Sequence, residues 1–192
     1  MDIETLKRAC EEYKTEEGRA SFYDVALEIA DAYPLQASII LLAVWNTARF
    51  RFMASDRQNL IDLQNAIAKC KPLFNILNGK NFKTVNFDEI KDTVKRIYST
   101  LSRVKGVEYT GASKVMHLVN RDLFVMWDRK TREKYGYYVA DEKEYLSFLK
   151  QMQGTFGDIE WDMPNKTLAK AIDEYNQATI TIPKRQKRKV KK

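Results

Sequence analysis

The chain reads as an all-α domain, and three observations carry that reading. Apolar residues recur at helical spacing along almost its whole length. Only 7 Gly and 4 Pro occur in 192 residues, too few for the many tight turns of an all-β fold. β-branched residues cluster in one stretch alone, residues 178–182. The length suits a single domain with a real core. Residues 1–181 form that domain in this reading, and 182–192 form a basic tail.

The elements follow in order. Ile3, Leu6, Cys10 and Tyr13 line one face of a first helix ending near Gly18. Its charges (Glu11, Glu12, Lys14, Glu16 and Glu17) make a solvated face. Ser21 is placed to cap a second helix that carries Phe22, Val25, Ala26, Ile29 and Ala30 and stops before Pro34. Residues 35–53 begin apolar all round, the mark of a central buried helix. Ser55 or Asp56 opens the next, with Leu60, Leu63, Ile67 and Cys70 inward. Residues 72–79 give a short helix and a stop. Residues 86–102 open on Asn86 and Glu89, spaced as a capping box, and bury Ile90, Val94, Ile97 and Leu101. A turn at 103–109 leads into a helix over 110–121. The run Leu123, Phe124, Val125, Met126 and Trp127 then ends at Asp128, which opens a short helix to Tyr135, broken at Gly136. Helices over 141–153 and 165–177 complete a set of roughly eight to ten.

Charge is concentrated at one end. Residues 184–192 hold seven basic side chains and no acidic one, while the formal net charge of the whole chain is +7, so the rest is about neutral. Such a run is expected to be disordered when free. Lys184, Arg185, Lys187, Arg188 and Lys189 are expected to meet a polyanion, with an affinity that falls steeply with salt. A tail serving solubility or localisation is the plainer reading of the same residues.

Other features narrow the class. Cys10 and Cys70 lie far apart without a CxxC partner and read as free thiols of a reducing, intracellular compartment, cytoplasm with nucleoid or a nucleus. One His leaves little for a zinc site, and neither metal nor cofactor is expected. No apolar run reaches the roughly 18–20 residues of a membrane span. The charged, helix-patterned N-terminus does not read as a signal peptide.

Residues 105–136 carry the candidate chemistry. A helix from Thr110 places Ala112, Val115, Leu118 and Val119 on an apolar side, and Thr110, Lys114, His117 and Arg121 on the other. Gly106 permits a positive φ in the turn before it. Helix N–H groups there, with Arg103 and Lys105 beside them, favour a phosphate. Burial of residues 123–127 would hold the Asp128 carboxylate in one place. As an N-cap it is already explained; catalysis and capping are compatible.

The hairpin VKGVEYTGA and the segment MWDRKTREKYG resemble the helix-hairpin-helix DNA glycosylase superfamily of base excision repair. The match covers residues 86–136 and extends more weakly over 37–85, where LLAVWNTARF resembles that family's buried helix ending in a segment inserted into DNA. The resemblance implies a glycosylase-like all-α fold and a duplex DNA partner carrying a damaged base. Asp128 would be the catalytic carboxylate. Arg103, Lys105, Gly106, Val107, Thr110, Gly111, Asn46 and Arg49 would contact DNA, the last pair filling the gap left by an extruded base. Trp45, Trp127 and Tyr135, with Tyr137 and Tyr138 nearby, would form a base pocket. Two positions depart from the family. Glu108 replaces the second hairpin Gly, and Thr110 stands where the Schiff-base Lys would be, which implies a monofunctional glycosylase. Lys114, one helical turn later, is a displaced candidate for the lyase amine. A non-catalytic hairpin module that holds nucleic acid, with Asp128 as a cap, is the alternative. A protein-interaction domain is a third.

Overall fold

Residues 1–182 are described by the computed structural model, and among them regular structure is helical throughout, with no strand. Ten α-helices are followed by one π-helical turn: α1 Ile3–Glu16, α2 Ala20–Ile29, α3 Pro34–Trp45, α4 Thr47–Ala54, α5 Arg57–Ile76, α6 Lys91–Ser102, α7 Glu108–Val119, α8 Arg129–Lys134, α9 Glu142–Phe156, α10 Leu168–Asn176, and the π turn Gln177–Thr181. The basic tail expected over 184–192 lies outside the described residues. Ile182, assigned to that tail, is buried. Among the described residues no helix is long and apolar enough to cross a membrane.

The helices associate largely as neighbours in sequence. α2 packs on α3, and α6 and α7 form a hairpin. α3 lies on α7, while α5 and α9 both lie on α6. α10 returns to α1, and the π turn touches α1 and α8. The core gathers where these pairs meet. α6 buries Val94, Ile97, Tyr98 and Leu101, three of them named by helical spacing. Tyr98, Tyr145, Phe148 and Trp127 make its aromatic centre, with Tyr98 and Tyr145 stacked at 4.6 Å between ring centroids.

Several expectations are corrected. The long helix over 35–53 is broken at Asn46, whose φ of −131° and ψ of 32° end α3 and start α4. Pro72 lies inside α5 instead of opening a new helix. Burial of Cys70, Phe74 and Leu77 carries the helix past the hydrogen bond that Pro removes. Ser21 does not cap α2, which begins at Ala20 without a side-chain cap. Asn86 accepts from Asp88 N at 3.0 Å, forming a local turn, and α6 starts only at Lys91. Residues 178–181 continue the last helix within the π turn, which Ile182 caps, and Thr179 Oγ1 donates to Tyr175 O at 2.7 Å.

Candidate active site

The candidate site begins with an extended segment driven through the core. Leu123 to Trp127 are all buried. A buried chain without helix or ladder must place its peptide groups elsewhere. Here side chains take them. Tyr145 donates its hydroxyl to Val125 O at 2.9 Å, and Ser113 Oγ lies 3.2 Å from both N and O of Trp127. His117 Nδ1 contacts Phe124 O at 2.6 Å, and its Nε2 lies 2.7 Å from the Tyr23 hydroxyl. A carbonyl only accepts, so Nδ1 carries the proton and Nε2 accepts from Tyr23. Burial depresses the His117 pKa to about 4 and keeps the ring neutral. The segment thus delivers Asp128 to a fixed point.

Asp128 caps α8: its Oδ1 accepts from Thr131 N at 2.8 Å. Its Oδ2 accepts from Gln177 Nε2 at 3.3 Å. Burial pushes the carboxyl pKa up, but the Thr131 N–H, the Lys114 ammonium and the Gln177 amide outweigh it and hold Asp128 below its ordinary value. The group is therefore an anion at neutral pH.

Asp128 and Lys114 share one polar pocket of about 170 Å³. Tyr13, Trp45, Asp173 and Gln177 line it as well, as do Glu17 and Arg19 from the link between α1 and α2. Lys114 is only 7% exposed. Its Nζ donates to Trp45 O at 2.7 Å, where the last carbonyls of α3 favour a cation. Burial depresses its pKa, and the Asp173 and Asp128 carboxylates resist. Arg19 grips Glu17 through Nε at 2.6 Å and donates to Val44 O at 2.8 Å.

Behind the pocket, Lys170 is enclosed by three rings. Its Nζ lies 4.9, 4.7 and 4.8 Å from the ring centroids of Tyr13, Tyr23 and Trp45. Asp173 Oδ2 at 3.0 Å and Glu174 Oε1 at 3.4 Å balance its charge. Burial alone would depress its pKa; Asp173, Tyr13 and Glu174 raise it well above the ordinary value.

The hairpin turn packs beside this pocket. Gly106 has φ of +88°, and a Cβ there would meet the Met53 backbone at 2.7 Å. Asn46 Nδ2 donates to Gly106 O at 3.1 Å and Val107 O at 3.0 Å, so this buried side chain ties the α3–α4 break to the turn. Gly111 lets α3 approach, since a Cβ would meet Leu42 and Asn46 at 2.9 and 3.0 Å. Glu108 also takes positive φ, +51°, the backbone glycine adopts freely. Its carboxylate pairs with Arg49 at 3.0 Å.

The other sequence-named residues divide. Trp45 lines the pocket. Trp127 is 1% exposed in the aromatic core and donates Nε1 to Tyr109 O, away from the pocket lining. Tyr135 and Tyr137 are half-buried, and Tyr135 donates to Asn176 Oδ1 at 2.8 Å. Tyr138 is exposed, as are Arg103 and Lys105. Val107 is buried and Thr110 half-buried. Tyr13, Glu17, Arg19, Asp173 and Gln177 escaped sequence reading because they come from elements far from residue 128 and carry no local motif. Glu17, read as part of a solvated face, is buried against Arg19. Among the described residues no group of three or more His, Cys, Asp or Glu is placed to hold a metal ion. No family model, no curated protein and no solved structure matches the chain.

Proposed function

We propose that the chain is a base-excision DNA glycosylase-like protein that hydrolyses the N-glycosidic bond of a flipped, damaged base. The single observation that carries this reading is the fixed, ionised Asp128 on the same pocket as the buried amine of Lys114. As the bond to the base breaks, positive charge grows on the sugar at C1′. A carboxylate already held in place stabilises that charge without reorganising. Asp128 also orients the water whose oxygen bonds to C1′, while the base leaves with the bonding electrons and takes up a proton. Tyr13 and Trp45 line the pocket that a base drawn out of the stack would enter, with ring faces held against Lys170 and, for Trp45, against Tyr23. The exposed Arg103 and Lys105 of the hairpin, and the seven basic side chains of 184–192, supply phosphate contacts. A non-catalytic module with Asp128 as a cap accounts for Lys114 only as a tie from α7 to the Trp45 carbonyl.

A second reading adds lyase chemistry. Thr110 cannot form an imine, but Lys114 lies in the pocket with its pKa depressed by burial, as a nucleophilic amine requires. Incubation with duplexes carrying uracil, hypoxanthine, oxidised guanine or alkylated bases tests the first reading through the appearance of abasic sites. Borohydride trapping on an abasic duplex, lost in Lys114→Ala, tests the second.

A further inference from the structure

The last residue of α10 and the first of the π turn reach across α8 together. Asn176 Oδ1 accepts from the hydroxyl of Tyr135, the residue that ends α8. Gln177 donates to Asp128 Oδ2, the residue that opens it. The helix between them is six residues long, so both of its ends are tied to one point of the C-terminal segment. The switch from α to π hydrogen bonding falls between the same two residues. π turns occur mostly as single turns and frequently at functional sites. Gln177 lines the pocket with Asp128, and so does Asp173 one α-helical turn earlier.

From this two-point attachment we infer that Gln177 is a positioning residue for Asp128, set in place by the π turn and by the Asn176–Tyr135 link. The inference rests on the reading of Asp128 as the carboxylate of base excision. Local capping accounts for only one carboxylate oxygen, Oδ1. Without Gln177 the other lacks that neutral donor and the hydrogen bond that directs it. Gln177 contributes direction without adding charge. That separates its effect from those of the charged groups around the pocket: Lys114 on α7, Asp173 on α10, and Glu17 and Arg19 between α1 and α2.

The test uses the full chain with Gln177→Leu and Gln177→Glu. Gln177 is half-buried, so both substitutions can be accommodated, unlike one at the fully buried Asn176. Single-turnover excision on a cleaved lesion duplex is expected to slow about tenfold in Gln177→Leu, with duplex affinity unchanged and the melting temperature at neutral pH lowered by about 2–4 °C. The acid limb of its pH–rate profile moves up, and further up in Gln177→Glu. An independent arm follows the Asp128 carboxyl by carbon NMR in the free protein, where titration moves the same way. If no duplex yields abasic sites but the NMR titration moves as stated, the positioning contact stands and the catalytic reading falls. Unchanged Asp128 titration in both variants overturns the inference, as does excision at the wild-type rate in Gln177→Leu.

Discussion

Lys114 Nζ donates to the main-chain carbonyl of Trp45 at 2.7 Å, joining the middle of α7 to the last turn of α3. A flexible amine is thereby held beside Asp128 at the mouth of a helix end. The site is assembled from separate parts of the chain: α1 with the α1–α2 link, the α3–α4 junction, the α7–α8 region, and α10 with the π turn after it.

Because burial depresses the Lys114 pKa more than its carboxylate neighbours raise it, the charged amine costs stability at neutral pH. The folded value lies below the unfolded one, so this cost disappears as pH rises through that window. Lys114→Met is expected to melt no lower than the wild type at pH 7, while its Asp128 carboxyl titrates higher for want of the ammonium. Thermal denaturation and carboxyl NMR check both.

Lys170 gives the opposite case. Removing its ammonium leaves Asp173 buried without its cation and Glu174 with Lys166 alone, and breaking such a buried pair costs roughly 3–5 kcal/mol. Lys170→Met is expected to lower stability by that order in chemical denaturation at neutral pH.

His117 makes the fold sensitive to acid. Its folded pKa is about 4 against 6.5 ordinarily. The unfolded chain therefore binds a proton first as pH falls, and stability drops from about pH 6.5 down through pH 4. The full effect is about 3–4 kcal/mol at about 1.4 kcal/mol per unit. His117→Gln is expected to flatten this part of the stability–pH curve measured by urea denaturation.

Glu108 keeps a left-handed backbone and a carboxylate in the hairpin turn. Glu108→Gly is expected to remove a backbone strain of about 1 kcal/mol, while the exposed pair with Arg49 counts for little. With one negative charge fewer beside the α7 N-terminus, duplex DNA is expected to bind more tightly, most clearly at low salt. Denaturation midpoints and fluorescence anisotropy measure the two effects.

Much of the helix order was legible because spacing alone reports which face is buried: Val94, Ile97 and Leu101 were read correctly in that way. The Asp128 cap followed from residue type and from the apolar run before it. The break at Asn46 was not legible, since no Gly or Pro marks it and its cause is a bond to carbonyls 60 residues away. Lys114 and His117 read as polar helix residues because polarity is the only local signal. Their burial depends on α3, α2 and the 123–127 segment closing over them. Gln177 and Asp173 were hidden for the same reason, being brought to the site only when α10 returns to α1.

Base excision by Asp128 is tested most directly by single-turnover cleavage of the four lesion duplexes with the wild type and Asp128→Asn. Asn keeps the capping oxygen, so stability should change by no more than about 1 kcal/mol. The wild type should generate abasic sites on at least one duplex, and the variant should do so on the order of a hundredfold more slowly. Equal rates in the two proteins, or no abasic site on any duplex from the wild type, would contradict it.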